Sequence, residues 1–142
     1  MTRLCLLPTL LLLVAAAPGP QATVDVDVDH LRNARGLVHV CITRNPKHFP
    51  DCRGDPQALR QTARASDAHL RFSGLQPGRY AVTLFHDENA NQKLDKLMGI
   101  PREGFGFSRN PVIRFGPPKF SAVDIEVGPG ITRAQVRVQY LL

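Results

Sequence analysis

The chain has 142 residues, 43% hydrophobic and 21% charged, which supports one globular domain and excludes a disordered or low-complexity chain. Its 11 Gly and 12 Pro make about one residue in six a poor fit for a helix interior, so a helical bundle is not expected. The formal charge of +6 is scattered over many segments, among them Arg32, Arg44, Arg64, Arg79, Lys96, Arg114 and Arg137. Nucleic-acid binding needs clustered cations with stacking aromatics, and is not expected either.

The chain opens on Met1-Thr2-Arg3, followed by an apolar run from Leu4 to Ala17 broken only by Pro8 and Thr9. A basic start, a short apolar run and a small-residue tail predict a secretory signal peptide over residues 1–22, with Val14-Ala15-Ala16 or Ala22 as the cleavage region. The run is shorter than the roughly 20 residues of a membrane span, and no later segment approaches that length. The expected location is therefore the periplasm or the exterior. Loss of the leader removes Cys5 and leaves Cys41 and Cys52. In an oxidising compartment that pair predicts a disulfide.

Val24, Val26 and Val28 alternate with Asp25, Asp27 and Asp29, the period of a strand with one wet face. Leu37 to Thr43 predicts a second strand, the hairpin partner of the first across Asn33-Ala-Arg-Gly36. Asp55-Pro56 predicts a cap for a short helix within residues 56–64. Ala68 to Phe72 predicts a third strand, and Leu75-Gln-Pro-Gly78 a turn. Arg79 to His86 is apolar on both faces and predicts a central strand. A long Gly/Pro-rich loop follows, with one weak strand at Val112 to Phe115. Ser121 to Val127 and Ile131 to Leu141 predict the closing strands. The fold expected from this order is all-β: a single antiparallel β-sandwich of about seven strands.

Four segments read together resemble a known family. They are Phe72-Ser-Gly-Leu-Gln-Pro-Gly-Arg-Tyr80, Phe85-His-Asp-Glu-Asn-Ala-Asn-Gln-Lys-Leu-Asp95, Gly99-Ile-Pro-Arg-Glu-Gly-Phe-Gly-Phe-Ser108 and Arg114-Phe-Gly-Pro-Pro-Lys-Phe120. This pattern resembles the DUF2141 family of exported bacterial proteins, whose function is uncharacterised, over residues 23–142. Its Gly-Leu-x-Pro-Gly-x-Tyr turn is also similar to that of transthyretin-like and carboxypeptidase-regulatory-like sandwich modules. The resemblance implies the sandwich and supplies no activity, because the family has no established one. It also implies glycines at positions 90 and 92, where this chain has Ala90 and Gln92.

Asp87, Asn89, Asn91 and Asp95 stand at positions 1, 3, 5 and 9 of a loop, with the Lys93 carbonyl at position 7. Alternate oxygens on a curling loop suit a hard cation, so a weak calcium site is the expectation here. Position 6 is Gln92 and position 12 is Met98, where a calcium loop prefers Gly and a bidentate Glu. An Asx-rich turn whose side chains bond their own backbone is the competing expectation. Phe105, Phe107, Phe115 and Phe120 concentrate in the following loop, either as a small core or as an aromatic platform. Any ligand site is expected where the 87–95 turn meets the 99–118 segment, at the exit of the central strand. The function expected is an exported, non-catalytic binding or structural module of the cell envelope, with an envelope component or a small molecule as its partner. The alternative is an envelope hydrolase using His86 with Asp87 or Ser108.

Overall fold

The computed structural model describes residues 15–142. Residues 1–14 of the expected signal peptide lie outside the described residues. Residues 15–21 are exposed and carry no regular structure. Among the described residues the fold is all-β, with ten strands and three short 3-10 turns. The strands are β1 (Ala22–Asp29), β2 (Leu37–Thr43), β3 (Leu59–Arg64), β4 (His69–Leu75), β5 (Gly78–Asp87), β6 (Lys96–Leu97), β7 (Ile100–Pro101), β8 (Gly104–Phe107), β9 (Ile125–Val127) and β10 (Gly130–Arg137).

They form three sheets, and number ten where a sandwich of about seven was expected. One sheet has the order β10-β1-β4. The second has the order β3-β2-β5-β8, with β9 also paired to β5, and β6-β7 is a separate ribbon. The pairing is not wholly antiparallel, because β1 and β10 run parallel from Ala22↔Gly130 to Asp29↔Arg137. Nor do β1 and β2 form the expected hairpin. The chain leaves β1 for the other sheet, and Gly36 makes the crossing possible. Its φ is +71°, and a Cβ there would lie 2.0 Å from the Asp87 carbonyl oxygen.

Alternation decides which side chain serves which side of the second sheet. Val38, Val40 and Ile42 of β2, with Tyr80, Val82 and Leu84 of β5, join Val24, Val26, Leu70, Phe72 and Val136 of the first sheet in one buried cluster. The intervening residues of the same strands face away from that cluster. There Ala81, Phe105, Phe107 and Val123 form a second, smaller core, with Phe49, Phe85, Ile113 and Phe120 packed on it.

Three further expectations need correction. Residues 59–64 are strand β3, not helix, because they pair with β2 from Leu37↔Arg64 to Ile42↔Leu59. The Cys41–Cys52 disulfide returns the chain to the edge of β2, so a vacant sheet edge outcompetes an isolated helix turn. Asp55 caps only a turn, accepting from the Gln57 amide at 2.9 Å. Residues 112–115 are not a strand. They are tethered instead through Gln139, whose side chain accepts from the Ile113 amide and donates to the Pro111 carbonyl. Ser121 to Val127 holds a strand only at Ile125–Val127, after a 3-10 turn at Phe120–Ala122.

The strand that the sequence reading passes over is β8, Gly104-Phe-Gly-Phe107. Its phenylalanines face the small core and its glycines face the large one. A Cβ on Gly104 would stand 2.4 Å from Val138 and 2.5 Å from the Tyr140 ring, and one on Gly106 would stand 2.8 Å from the Arg137 carbonyl. The glycines thus let the chain after β10 close over β8. The Tyr140 ring cannot swing aside cheaply. Its hydroxyl bonds His86 Nδ1 at 2.8 Å and accepts from the Arg32 amide at 3.1 Å. Gly104→Ala is therefore expected to cost about 1–3 kcal/mol, the usual range for overpacking. Urea denaturation of the variant checks this, and an unchanged midpoint would contradict the packing described.

Candidate functional site

The outer side of the second sheet is not flat. Side chains of β2, β5 and β8 floor an open groove of about 1430 Å³. His39, Phe85, Phe105 and Phe107 lie on the floor, and three loop segments border it: residues 50–53, 92–101 and 113–117. A smaller recess of about 360 Å³ lies within the 111–122 segment itself and involves no strand of the sheet. The larger groove is the candidate site because a rigid sheet fixes its floor and long loops shape its rim.

Each floor residue follows from strand parity. His39 stacks on Phe85 with ring centroids 4.7 Å apart and an interplanar angle of 26°. Phe105 and Phe107 meet edge to face at 6.0 Å, and Phe49 closes on Phe107 at 5.8 Å. Phe107 is 6% exposed, so the inner part of the floor is already packed, whereas Phe115 on the rim is 96% exposed. The phenylalanine cluster therefore divides between a small core and an exposed edge. The predicted disulfide is present, and Cys41 lies on the groove side of β2. It ties the 50–53 wall to the floor and contributes very roughly 2–3 kcal/mol through the closed loop. The Thr83 hydroxyl adds a tether to the Pro50 carbonyl at 2.8 Å.

At the end of β5 stands Asp87, with its side chain fully buried. It is held by His39 Nε2 at 2.9 Å, the Gln92 amide at 2.7 Å and the Asn91 amide at 3.0 Å. Burial opposes its charge, but these donors outweigh burial and hold its pKa below the ordinary carboxylate range. His39 in turn shares Nδ1 with the Thr62 hydroxyl at 2.9 Å. This Asp87–His39–Thr62 chain links β5, β2 and β3. Nothing in the sequence pairs residues 48 positions apart, so the partnership is invisible there.

His86 points the other way. Adjacent strand residues face opposite sides of a sheet, so His86 enters the large core while Asp87 faces out. Its ring is fully buried, with Nε2 2.7 Å from the Arg35 carbonyl and Nδ1 on Tyr140. Ser108 is also buried, donating to the Val123 carbonyl at 2.5 Å and accepting from the Val82 amide at 3.0 Å. The His86–Asp87 pair of the alternative hydrolase reading thus faces opposite sides of the sheet, and Ser108 braces the chain.

In the 87–95 loop the Asn89 and Asn91 amide groups donate to the Asp95 carboxylate, at 2.7 Å and 3.0 Å. The Asn89 side-chain oxygen accepts from the Asn91 amide, and the Asn91 oxygen from the Lys93 amide. These are Asx turns. Among the described residues no three His, Cys, Asp or Glu side chains gather as metal ligands. Glu103 is buried below the loop and accepts from the Glu88 amide at 2.9 Å and the Asp95 amide at 3.0 Å. It stitches the loop's two ends together. Glu88 is held by Arg32 and Asn33, and these bonds overcome burial to lower its pKa as well.

The family model described as "Uncharacterized protein conserved in bacteria (DUF2141)" matches residues 26–135. The chain belongs to that family. No curated protein and no solved structure matches it. The matched span runs from β1 into β10 and includes the whole groove floor of the DUF2141 domain. Positions 90 and 92, where the family resemblance implies glycine, take φ of +56° and +64° in this chain. Both lie in the left-handed region that glycine enters most easily. The loop around Asp87 thus places two non-glycine residues, Ala90 and Gln92, in left-handed conformations.

Lowered native pKa values mean that Asp87 and Glu88 add stability above about pH 4, the ordinary carboxylate range. That contribution is lost as the pH falls through their native values. Asp87→Asn replaces an acceptor with a group that also donates, and is expected to lose about 1–3 kcal/mol at pH 7. The same variant should show a flatter acid limb than the wild type. Urea titrations at neutral and acid pH check both effects, and parallel acid limbs would contradict the role given to Asp87.

Proposed function

We propose that this protein is an exported, non-catalytic binding module of the cell envelope and that its ligand is apolar and lies in the groove over the second sheet. The observation that carries this reading is the aromatic floor of His39, Phe85, Phe105 and Phe107 beneath an open groove of about 1430 Å³. A typical small-molecule site encloses roughly 300–1,000 Å³, and the groove exceeds that range. The rest follows from packing. The floor is fixed by strand pairing and the rim by loops, which is how binding surfaces are usually divided. Export is supported by the basic-then-apolar start of the sequence and by the paired cysteines. Ala22 is buried and already paired in β1, so a processing cut would fall N-terminal to it. A transthyretin-like arrangement of the two larger sheets is part of the same proposal, supported by their shared buried cluster.

The neutral probe N-phenyl-1-naphthylamine tests the reading. Its fluorescence is expected to rise on addition of the protein. Phe85→Ala, on a half-buried floor residue, should weaken that binding about 10-fold or more, by the apolar contact removed. No rise with the folded wild type would defeat the proposal. Ester or peptide turnover that His39→Ala and Thr62→Ala both abolish would defeat the non-catalytic part.

Calcium at the 87–95 loop is a separate proposal, with Asp87, Asn89, Asn91, Asp95 and the Lys93 carbonyl as its oxygens. Its support is their spacing, and binding would require the Asx turns to open. Millimolar calcium should then raise the melting temperature of the wild type but not of Asp87→Ala, Asp95→Ala. An unmoved wild-type curve would leave the loop a structural brace.

A further inference from the structure

The rim of the groove differs from its floor. The ribbon β6-β7 turns at Met98, which is 95% exposed, and Leu97 beside it is 53% exposed. On the border of the same groove, the 112–117 segment presents Phe115 to solvent, almost fully exposed. Isolated exposed apolar residues are ordinary on a protein surface. These stand on two loops that border one groove, the first through Ile100 and the second through Phe115.

Charge selects among the partners such a lip could meet. Lys93 and Lys96 lie on the first loop and Arg114 on the second, all three on the groove border and exposed. Among the described residues none of the three has a carboxylate partner within salt-bridge distance. Two acids stand on the loops that border the groove: Asp51 is paired with Arg53 at 3.4 Å, and Asp95 accepts from the Asn89 and Asn91 side chains, at 2.7 Å and 3.0 Å. The lip is thus apolar at its tips and cationic at their bases. Apolar side chains that enter the acyl boundary, with Lys and Arg left at headgroup level, match the surface of an anionic bilayer. A neutral apolar partner would leave three cations without complement, and a soluble acidic partner would leave Met98 and Phe115 without one.

We propose that this lip docks on a bilayer containing acidic phospholipid, so that the groove takes its apolar ligand from the membrane. The inference rests on the groove reading above for what is carried, and on the lip alone for where the protein sits.

Co-sedimentation tests it, using full-length mature protein at about 0.1 M salt, where charges near a surface still act over roughly 10 Å. Phosphatidylcholine vesicles are compared with vesicles in which about one-third of the lipid is phosphatidylglycerol. Binding is expected on the anionic vesicles and to be at least about 10-fold weaker on the neutral ones. Each cation near such a surface contributes about fivefold, so Lys93→Gln, Lys96→Gln should weaken binding about 30-fold. Met98→Ser, Phe115→Ser should weaken it about 10-fold or more. All four side chains are exposed, so the variants should keep the wild-type melting curve, which separates lost docking from lost folding. Equal binding to both vesicle types, no binding to either, or variants that bind like the wild type would overturn the proposal. If the naphthylamine probe still binds in those cases, the groove reading survives and only the docking fails. If vesicles bind as expected and the probe does not, docking stands and the groove reading falls.

Discussion

A buried carboxylate at the end of the central strand sets the terms for the rest of the structure. Burying a charge is expensive unless donors replace the lost water. Asp87 obtains them from β2 through His39 and from its own following loop through the Asn91 and Gln92 amides. The loop must therefore curl back on the strand end, with two residues in left-handed conformations. That curl fixes where residues 92–101 stand, and these form one wall of the groove. The same residue constrains the first half of the chain, since its carbonyl leaves room only for glycine at position 36. His39, held at both ring nitrogens, is then rigid enough to stack on Phe85 and serve as floor.

The second sheet carries two cores at once, and β8 shows how. Its inward glycines bring the strand close to the chain after β10, while its outward phenylalanines build the floor. A strand of ordinary alternating apolar residues would satisfy one side only. The outer side gains the Cys41–Cys52 link and the Thr83–Pro50 hydrogen bond, so a wall far from the core is still tied to the sheet. Rigid floor and loop-borne rim arise from the same few strands.

Much of this was legible in the sequence, where local pattern is enough. The alternation in β1, β5 and β10, the central place of β5 and the cysteine pairing all follow from residues within a few positions of each other or from simple counting. What was not legible depends on partners far apart in the chain. The parallel pairing of β1 with β10 joins residues more than 100 positions apart. The helix expected within residues 56–64 has an adequate cap at Asp55, and only the neighbouring edge of β2 turns it into a strand. Gly104 and Gly106 read as loop residues because their closest contacts, Val136, Val138 and Tyr140, come some 30 positions later. His39 carries no local sign of a partner, so the sequence directs attention to His86 beside Asp87. Strand parity separates those two, and the candidate site moves from the strand end onto the sheet face.

Where an apolar ligand sits on the protein is measured directly by nuclear Overhauser contacts. With the protein labelled on phenylalanine and isoleucine and the naphthylamine probe bound, contacts are predicted from the probe to the Phe85 ring and to the methyl groups of Ile100 and Ile113. Contacts confined to residues buried between the two larger sheets, such as Phe72 and Ile42, would contradict the account.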